Sequence, residues 1–238
     1  LGEIFNMNTL ITGLSFGLGR ALKEECLELG HDVYGLSRTR VTDCNHVILD
    51  LSMLSSGHYE RRLENLLNGE TNLDLVILNA GILGKIKTFD NVTMNELDKI
   101  MNINVFSNKL LLDSLFKMKV NVKQVLCISS GASEKTYKGW GGYSISKAAL
   151  RMMMQVYSKD FPRTHFMSLA PGLVGTQMQD YLCQDVDVNE FPETKKFIES
   201  NSNGTTRSSK NVAKDIMKLV PNLSKMASGG YVDLRSLK

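Results

Sequence analysis

A glycine-rich turn separates the first apolar run of the chain from its first helical pattern. Residues 9–12 (TLIT) have the composition of a buried strand, and the spacing of apolar residues over 17–29 predicts a helix. Gly13, Gly17 and Gly19 lie at the junction of these two elements. Because glycine has no Cβ, such a turn lets a phosphate approach the amide groups at a helix N-terminus. The turn therefore predicts an α/β fold that starts with a phosphate-binding strand, turn and helix.

The rest of the chain continues this alternation of short apolar runs with longer helical patterns. Further strands are predicted over 32–36, 46–49, 73–78, 124–128, 164–169 and 231–234, and further helices over 59–67, 94–117, 143–159 and 209–220. Residues 170–209 are predicted to be irregular, with a mobile polar loop over 200–210. Apolar strands that alternate with helices are typical of right-handed crossovers around a buried parallel sheet.

The predicted fold is therefore a doubly wound, mainly parallel sheet of about seven strands with helices on both faces. With 238 residues and no linker or repeat, the chain is expected to form one domain over 1–238. Residues 1–7 are expected to be an N-terminal extension.

Composition and charge argue against several classes of partner. The net charge of +3 comes from 28 basic and 25 acidic residues without a basic run, so no nucleic acid partner is expected. No apolar stretch reaches the roughly 18 residues that a membrane span needs, and residues 1–6 do not resemble a secretory signal. We therefore expect no membrane partner and a cytoplasmic location.

Cysteine and histidine spacing gives no sign of a metal site. Four cysteines lie far apart, without a CxxC pair, and are interpreted as reduced thiols. The four histidines show no ligand spacing either. No catalytic metal is predicted.

The end of the second predicted strand indicates which dinucleotide the fold accepts. A carboxylate that would bind the ribose hydroxyls of NAD is missing there, since Asp32 comes too early. Instead Ser37 and Arg38 offer a hydroxyl and a guanidinium, which suit a ribose 2′-phosphate. NADP(H) is therefore the predicted cofactor. The alternative is that Arg38 and Arg40 are solvated loop residues.

Tyr143 and Lys147 are four residues apart in a predicted helix, which places both side chains on one face. A free phenol is a poor base at neutral pH, but a neighbouring cation stabilises its deprotonated form. The pair thus indicates a tyrosine that gives and takes a proton. Ser130 lies thirteen residues earlier at the end of a predicted strand, and Asn104 lies within the long predicted helix.

Together, TGLSFGLG (12–19), NAG (79–81), Ser130 and YSISK (143–147) resemble the short single-domain branch of the short-chain dehydrogenase/reductase family. The resemblance covers residues 8–237 and implies a single-domain Rossmann fold. It implies cofactor contacts from Gly13, Ser15, Phe16, Gly17, Leu18, Gly19, Ser37, Arg38, Asp50, Leu51, Asn79, Ala80, Gly81, Tyr143, Lys147, Pro171, Gly172, Val174 and Thr176. The resemblance implies that Thr176 binds the nicotinamide carboxamide and that Asp50 binds the adenine amino group. For Asp50, a role as a helix cap is an equal alternative.

The resemblance also implies the catalytic residues Asn104, Ser130, Tyr143 and Lys147. Ser130 hydrogen-bonds the substrate oxygen, Tyr143 protonates it, and Lys147 binds the nicotinamide ribose. Asn104 holds a water that connects Lys147 to solvent. Ser129 is the nearest rival to Ser130, one residue out of register.

Residues 177–209 are expected to form a lid over a small-molecule carbonyl or alcohol substrate. Its apolar contacts are predicted to come from Met178, Tyr181, Leu182, Phe191 and Phe197, with Trp140 nearby, although ordinary packing explains each of them equally well. GWGGY (139–143) and GYVDLR (230–235) resemble the group of sepiapterin and benzil reductases, which act on α-diketones and related carbonyls.

Two other interpretations remain at this stage. Sugar-nucleotide epimerases and dehydratases share YxxxK but have longer chains, and a dinucleotide sensor would bind without turnover. The family resemblance further implies a homodimer or homotetramer.

Overall fold

Seven parallel strands form the central sheet in the computed structural model of the chain, which describes residues 6–237. The strands are β1 (Asn8–Thr12), β2 (Asp32–Ser37), β3 (Asn45–Ile48), β4 (Asn72–Leu78), β5 (Asn121–Ile128), β6 (His165–Ala170) and β9 (Gly230–Asp233). Their order in the sheet is β3-β2-β1-β4-β5-β6-β9. Two short strands, β7 (Val174–Gly175) and β8 (Arg207–Ser208), pair separately.

Helices cover both faces of this sheet. They are α1 (Gly17–Glu28), α2 (Ser56–Leu67), α3 (Met94–Met101), α4 (Ser107–Lys117), α5 (Gly141–Asp160), α6 (Gln177–Gln184), α7 (Lys195–Ser202) and α8 (Ser209–Leu223). One core layer lies between the sheet and α1 with α8, around Leu22 and Ile216. The other lies between the sheet and α2, α4 and α5, around Tyr59 and Phe166. The predicted doubly wound α/β fold is thus confirmed.

The strand order reverses at β1, which lies between β2 and β4. After β1 the chain runs outward through β2 to β3, and then returns to the other side of β1 with β4. Adjacent crossovers therefore leave on opposite faces, which opens a crevice beyond the carboxyl ends of β1 and β4. Ligands of open α/β sheets bind at this switch point.

A π-helical segment interrupts the helix that the sequence predicts as continuous over 94–117. The structure has α3, then π-helix over Asn102–Phe106, then α4. One extra residue in a turn of this kind shifts the side chains that follow it, and such turns are frequent at functional sites. Asn104 lies in the middle of the segment.

The region predicted to be irregular contains regular elements, so that prediction was wrong. Helices α6 and α7 and strands β7 and β8 fall within 170–209, and the polar loop predicted over 200–210 includes the end of α7, all of β8 and the start of α8. Of the predicted extension, residues 1–5 lie outside the described residues, whereas Met7 packs against the core and its carbonyl accepts a hydrogen bond from Asp32 N at 3.0 Å.

Candidate functional site

A cavity of about 530 Å³ opens at the carboxyl ends of the strands, at the switch point. Every residue predicted to contact the cofactor lines this cavity. Of the predicted catalytic residues, Ser130, Tyr143 and Lys147 also line it, whereas Asn104 lies behind the wall. The fold therefore brings together residues that are up to 163 positions apart in the sequence, from Gly13 to Thr176.

The glycine turn packs so tightly that side chains cannot replace its hydrogens. A Cβ on Gly19 would lie 2.2 Å from the carbonyl oxygen of Gly13 and 2.4 Å from Asn79 Nδ2, and Gly13 itself has a φ of +70°. Helix α1 begins here with Phe16 at its N-cap, a side chain that makes no capping hydrogen bond. The first amides of α1 thus face the cavity without a side-chain acceptor, which is the arrangement that binds an anion.

Asn79 fixes the end of β4 to this turn. Its Nδ2 donates to the carbonyl oxygens of Thr12 and Gly13 at 3.0 and 3.3 Å. The Thr12 hydroxyl in turn accepts from the backbone N–H groups of Asn79 and Ala80, both at 3.1 Å. The side-chain amide of Asn79 therefore stabilises the glycine turn, and the cavity wall at this point consists mainly of backbone atoms.

Ser37 at the end of β2 has its hydroxyl engaged on both sides. Its Oγ donates to the carbonyl of Thr39 at 2.7 Å and lies 2.8 Å from His46 Nε2 on β3. Because the hydroxyl proton is used by Thr39, the His46 ring must be the donor to Ser37 Oγ. The sequence predicted Ser37 as a second donor to the 2′-phosphate. In this conformation the Ser37 hydroxyl proton is already used, so of these two residues only Arg38 has donors available for a phosphate.

Asp50 follows β3 and faces the same end of the cavity as Arg38. Its Oδ1 accepts hydrogen bonds from the backbone N–H and the hydroxyl of Ser52, at 2.9 and 2.8 Å. These bonds lower the pKa of Asp50, with a smaller contribution from the charge of Arg38. Asp50 caps a local turn, since the N-cap of α2 is Ser55.

Tyr143 and Lys147 lie on one face of α5 and are both buried. Lys147 Nζ is 5.7 Å from the centre of the Tyr143 ring and donates to the carbonyl oxygen of Ile128, at the end of β5, at 2.8 Å. An ammonium group has three donors, so this bond orients Lys147 while leaving two of them for other partners.

Ser130 follows β5 and lines the cavity beside Ser129. Its Oγ accepts a hydrogen bond from the N–H of Ala132 at 3.1 Å, which leaves the hydroxyl proton to be donated elsewhere. Ser129 is buried, and its hydroxyl is 3.4 Å from that of Ser133. Both serines therefore border the cavity.

Asn104 is fully buried and has its side-chain amide bonded within the protein. Oδ1 accepts from Ile82 N at 2.8 Å, and Nδ2 donates to Ile82 O and to Ser146 Oγ, both at 2.9 Å. Asn104 thus connects the segment after β4 to the helix of Tyr143. A Cβ on Gly81 would lie 3.2 Å from Asn104 Oδ1 and 3.5 Å from Lys147 Nζ, so both groups lie close to Gly81.

The segment after β6 closes the cavity over the glycine turn. It lines the cavity with Pro171, Gly172, Val174 and Thr176, and Thr176 is the N-cap of α6. A Cβ on Gly17 would lie 3.3 Å from Thr176 Cγ2. The two cofactor motifs, which are 159 positions apart in the sequence at Gly17 and Thr176, therefore meet across the cavity.

An aromatic cluster forms the other end of the cavity, next to Tyr143. The Trp140 ring lies edge-on to Tyr143, with 5.8 Å between centroids, and stacks on Phe197 at 5.3 Å. Of the predicted lid contacts, Met178, Leu182, Phe197 and Trp140 line the cavity. The other two are packing residues outside the lining: the Tyr181 hydroxyl accepts from Ile86 N at 3.1 Å, and Phe191 packs against Gly139.

Sequence reasoning missed Tyr137, Lys196 and Arg235, which also line this end. Tyr137 is 5.3 Å from Trp140 between ring centroids, and Lys196 Nζ is 3.5 Å from the centre of the Tyr137 ring. The position of Tyr137 in the loop before Trp140 was a usable signal. Arg235 ends the GYVDLR segment that resembles the sepiapterin and benzil reductase group, which was a weak signal, whereas nothing in the local sequence of Lys196 distinguishes it from surface residues.

Three further properties concern the described residues as a whole. All four cysteines are free, and burial raises the pKa of Cys127 to about 12, as expected for a packed thiol. Between residues 6 and 237, no three His, Cys, Asp or Glu side chains are grouped so that they could hold a metal ion. None of the helices described there has the length and apolar character that a membrane crossing requires.

The profile of the short chain dehydrogenase family matches residues 7–187, so the chain belongs to this family and is an oxidoreductase. It is 30% identical over 230 residues to a benzil reductase ((S)-benzoin forming) of Bacillus subtilis, which covers 89% of this chain and 92% of that enzyme. It is also 30% identical over 166 residues to the sepiapterin reductase of Bos taurus, covering 67% and 61% of the two chains. The resemblance predicted from the motifs is thereby confirmed.

Solved structures are similar over the whole chain. A short chain dehydrogenase/reductase of Saccharomyces cerevisiae superposes with a TM-score of 0.85 at 23% identity, covering 97% of both chains. A short chain dehydrogenase of Shigella flexneri, solved with NADP, has a TM-score of 0.78 at 23% identity and covers 99% of this chain. At such identities the likeness concerns the fold.

Proposed function

We propose that the protein is an NADP(H)-dependent reductase that converts a ketone, diketone or aldehyde to an alcohol. The observation that carries the proposal is the single cavity that joins the glycine turn and Arg38 at one end to Ser130, Tyr143 and Lys147 at the other. The similarity to benzil and sepiapterin reductases supports a carbonyl substrate.

The residues present fit a dinucleotide. The uncapped N-terminus of α1 and the tight approach at Gly19 provide a cradle for a pyrophosphate, and a guanidinium at Arg38 suits a 2′-phosphate. Asp50 retains Oδ2 as an acceptor for an adenine amino group, and Thr176 lies above the turn for a carboxamide. When bound, the reduced cofactor supplies the hydride for the carbonyl carbon.

Tyr143 is the proposed general acid and base. Its phenol gives a proton to the substrate oxygen as charge develops there, and Lys147, held by Ile128 O, stabilises the phenolate that remains. Ser130 is the proposed partner of the same substrate oxygen, because its hydroxyl proton is not used by Ala132. The buried setting excludes water and strengthens these interactions.

Asn104 is proposed as a positioning residue that keeps the tyrosine helix in register with the cavity. Its bonds to Ile82 and Ser146 hold α5 against the segment after β4. Its backbone carbonyl oxygen accepts a hydrogen bond from Asn108 Nδ2 at 2.9 Å. The family resemblance also implies a water held by Asn104 that connects Lys147 to solvent.

The same proposal includes a substrate lid, an oligomeric state and a cellular location. Residues 177–209 act as the substrate lid, since α6 and α7 carry Met178, Leu182 and Phe197 to the cavity. The chain assembles as a homodimer or homotetramer through α4 and α5, the second of which exposes Ile145, Met152 and Val156. The free cysteines support a reducing, cytoplasmic location.

The proposed function is tested by mixing the protein with NADPH and a panel of diketones, ketones and aldehydes while the loss of NADPH absorbance is followed. Turnover with at least one diketone is expected, with NADPH preferred to NADH. Tight NADPH binding without turnover of any carbonyl would contradict the proposal and favour a sensor. Light scattering after gel filtration tests the oligomer, for which a monomer would be the contrary result.

A further inference from the structure

Basic residues outnumber acidic residues in the lining of the cavity. Four basic residues line it, Arg38, Lys147, Lys196 and Arg235, against Asp50 as the one acidic residue of the described lining. Arg38 and Asp50 lie together at the end of the cavity next to β2 and β3. Lys147 belongs to the proposed catalytic group. Lys196 and Arg235 therefore remain without a role in the proposed chemistry.

Lys196 is connected to the catalytic tyrosine by a row of aromatic rings. Its Nζ lies 3.5 Å from the centre of the Tyr137 ring, which is 5.3 Å from Trp140, which in turn is 5.8 Å from Tyr143. The ammonium is thus fixed over a ring face, a favourable cation–π geometry. Within residues 6–237 it forms no ion pair, whereas the adjacent Lys195 pairs with Glu199 at 3.8 Å.

Arg235 reaches the same region from the segment after β9. A Cβ on Gly172 would lie 3.0 Å from Arg235 Cδ, and one on Gly131, the residue after Ser130, would lie 3.7 Å from Arg235 Nη2. Its Nε and Nη2 are bonded to the carboxylate of Asp233. Much of its charge is therefore neutralised, and Lys196 is the stronger candidate for binding an anion.

Trp140 contributes an apolar wall to this end. Its side chain is 95% buried and lines the cavity. Its Nε1 has no hydrogen-bond partner in the part of the chain that the structure describes and is itself inaccessible, so a ligand would meet the ring rather than the N–H. The substrate end thus combines planar apolar walls with one cation that forms no ion pair among the described residues.

We propose that the preferred substrate is an aryl ketone that carries a carboxylate, with the aryl ring against Trp140 and Phe197 and the carboxylate at Lys196. This inference rests on the proposed function. In the reaction the C=O π bond breaks, the carbonyl carbon takes up a hydride from the reduced cofactor, and the oxygen takes up a proton from Tyr143. The products are the hydroxy acid and the oxidised cofactor, so the carboxylate is a binding group that the chemistry leaves unchanged.

The kinetic test compares 4-acetylbenzoate, in which the ring separates the ketone from the carboxylate, with its methyl ester, which has the same aryl ketone without the charge. The wild-type enzyme is expected to favour the acid in kcat/KM. Lys196→Met keeps an apolar stem over Tyr137 but removes the charge, so KM for 4-acetylbenzoate should rise about fivefold with kcat unchanged, the upper range for an exposed ion pair. The ester should stay within about twofold of wild type, Lys196→Arg should retain the preference, and Lys195→Met should behave as wild type.

A binding test is independent of turnover, because Trp140 is the one tryptophan of the sequence. The alcohol product 4-(1-hydroxyethyl)benzoate, with NADP present, should quench its fluorescence at a lower concentration than its methyl ester does, and Lys196→Met should remove that difference. Equal binding of acid and ester, or a preference that survives in Lys196→Met, would overturn the inference. If no carbonyl is reduced but binding of 4-(1-hydroxyethyl)benzoate depends on Lys196, the anion site stands and the proposed function fails.

Discussion

Lys147 holds its ammonium 5.7 Å from the centre of the Tyr143 ring while it is bonded to the carbonyl of β5 at 2.8 Å. The cation is thus fixed by the sheet, so its distance from the phenol does not depend on helix α5 alone. This arrangement supports the proposed catalytic role of a residue pair that is otherwise common on helix surfaces. Both side chains are buried, and charges interact more strongly where water is excluded.

Replacing Lys147 by Met should lower kcat by roughly a hundredfold at neutral pH, the usual contribution of a working proton-transfer group. The phenolate that proton transfer leaves on Tyr143 then lacks its neighbouring cation, so the transfer should slow. Steady-state kinetics with NADPH and a diketone measures this, with urea unfolding of the variant as the check on folding. An unchanged kcat would mean that Lys147 takes no part in the proton transfer.

Arg38→Asp should reduce kcat/KM for NADPH by about a hundredfold, because a charge-assisted hydrogen bond is lost and a like charge is introduced. In the same variant, kcat/KM for NADH should stay the same or rise. Arg40→Asp is the matched control, since Arg40 does not line the cavity, and it should change the ratio less than about threefold. Equal effects of the two substitutions would support solvated loop residues at both positions.

His46 is predicted to support the same phosphate site from behind. Burial, and secondly the charge of Arg40, lowers the pKa of His46, so its neutral ring donates to Ser37 and accepts from Val41 N at 3.5 Å. His46→Leu should leave the buried Ser37 hydroxyl without its donor and weaken 2′,5′-ADP binding several-fold, with 5′-ADP unaffected. Calorimetry of both ligands checks this, and His46→Gln should restore most of the difference. Parallel losses for both ligands would refute it.

Gly19→Ala should destabilise the fold by about 1–3 kcal/mol and abolish dinucleotide binding. Its Cβ would lie 2.2 Å from a backbone carbonyl, so the turn must move. Gly57→Ala is the control, because a Cβ there has no atom within 4 Å and lies in helix α2. It should be neutral or slightly stabilising in urea unfolding. Wild-type stability and dinucleotide binding in Gly19→Ala would show that the turn has room for a Cβ.

The sequence predicted those parts of the structure that depend on short-range sequence patterns. Apolar runs and the glycines around residue 17 predicted the parallel sheet and the phosphate turn, because both depend on short-range spacing and on the absence of a Cβ. The π-helical segment at Asn104 was not predictable in this way. Within it, the Asn104 side chain bonds to Ile82 and Ser146, two partners distant in sequence that only the fold brings there.

The lid and the substrate end were predicted less well for a related reason. Helices α6 and α7 have only eight residues each, and helices this short depend on packing rather than on propensity. Phe197 on α7 stacks on Trp140, a contact between residues 57 positions apart. Lys196 and Arg235 reach the cavity through the same long-range packing, so their charges became interpretable only in the structure.

Tyr143→Phe tests the central claim most directly, since it removes one oxygen atom and leaves the ring in place. Turnover of a diketone with NADPH should fall by a factor of at least about a hundred, while NADPH affinity, measured by calorimetry, should change less than about threefold. Turnover close to that of the wild-type enzyme would contradict the assignment of Tyr143 as the proton donor.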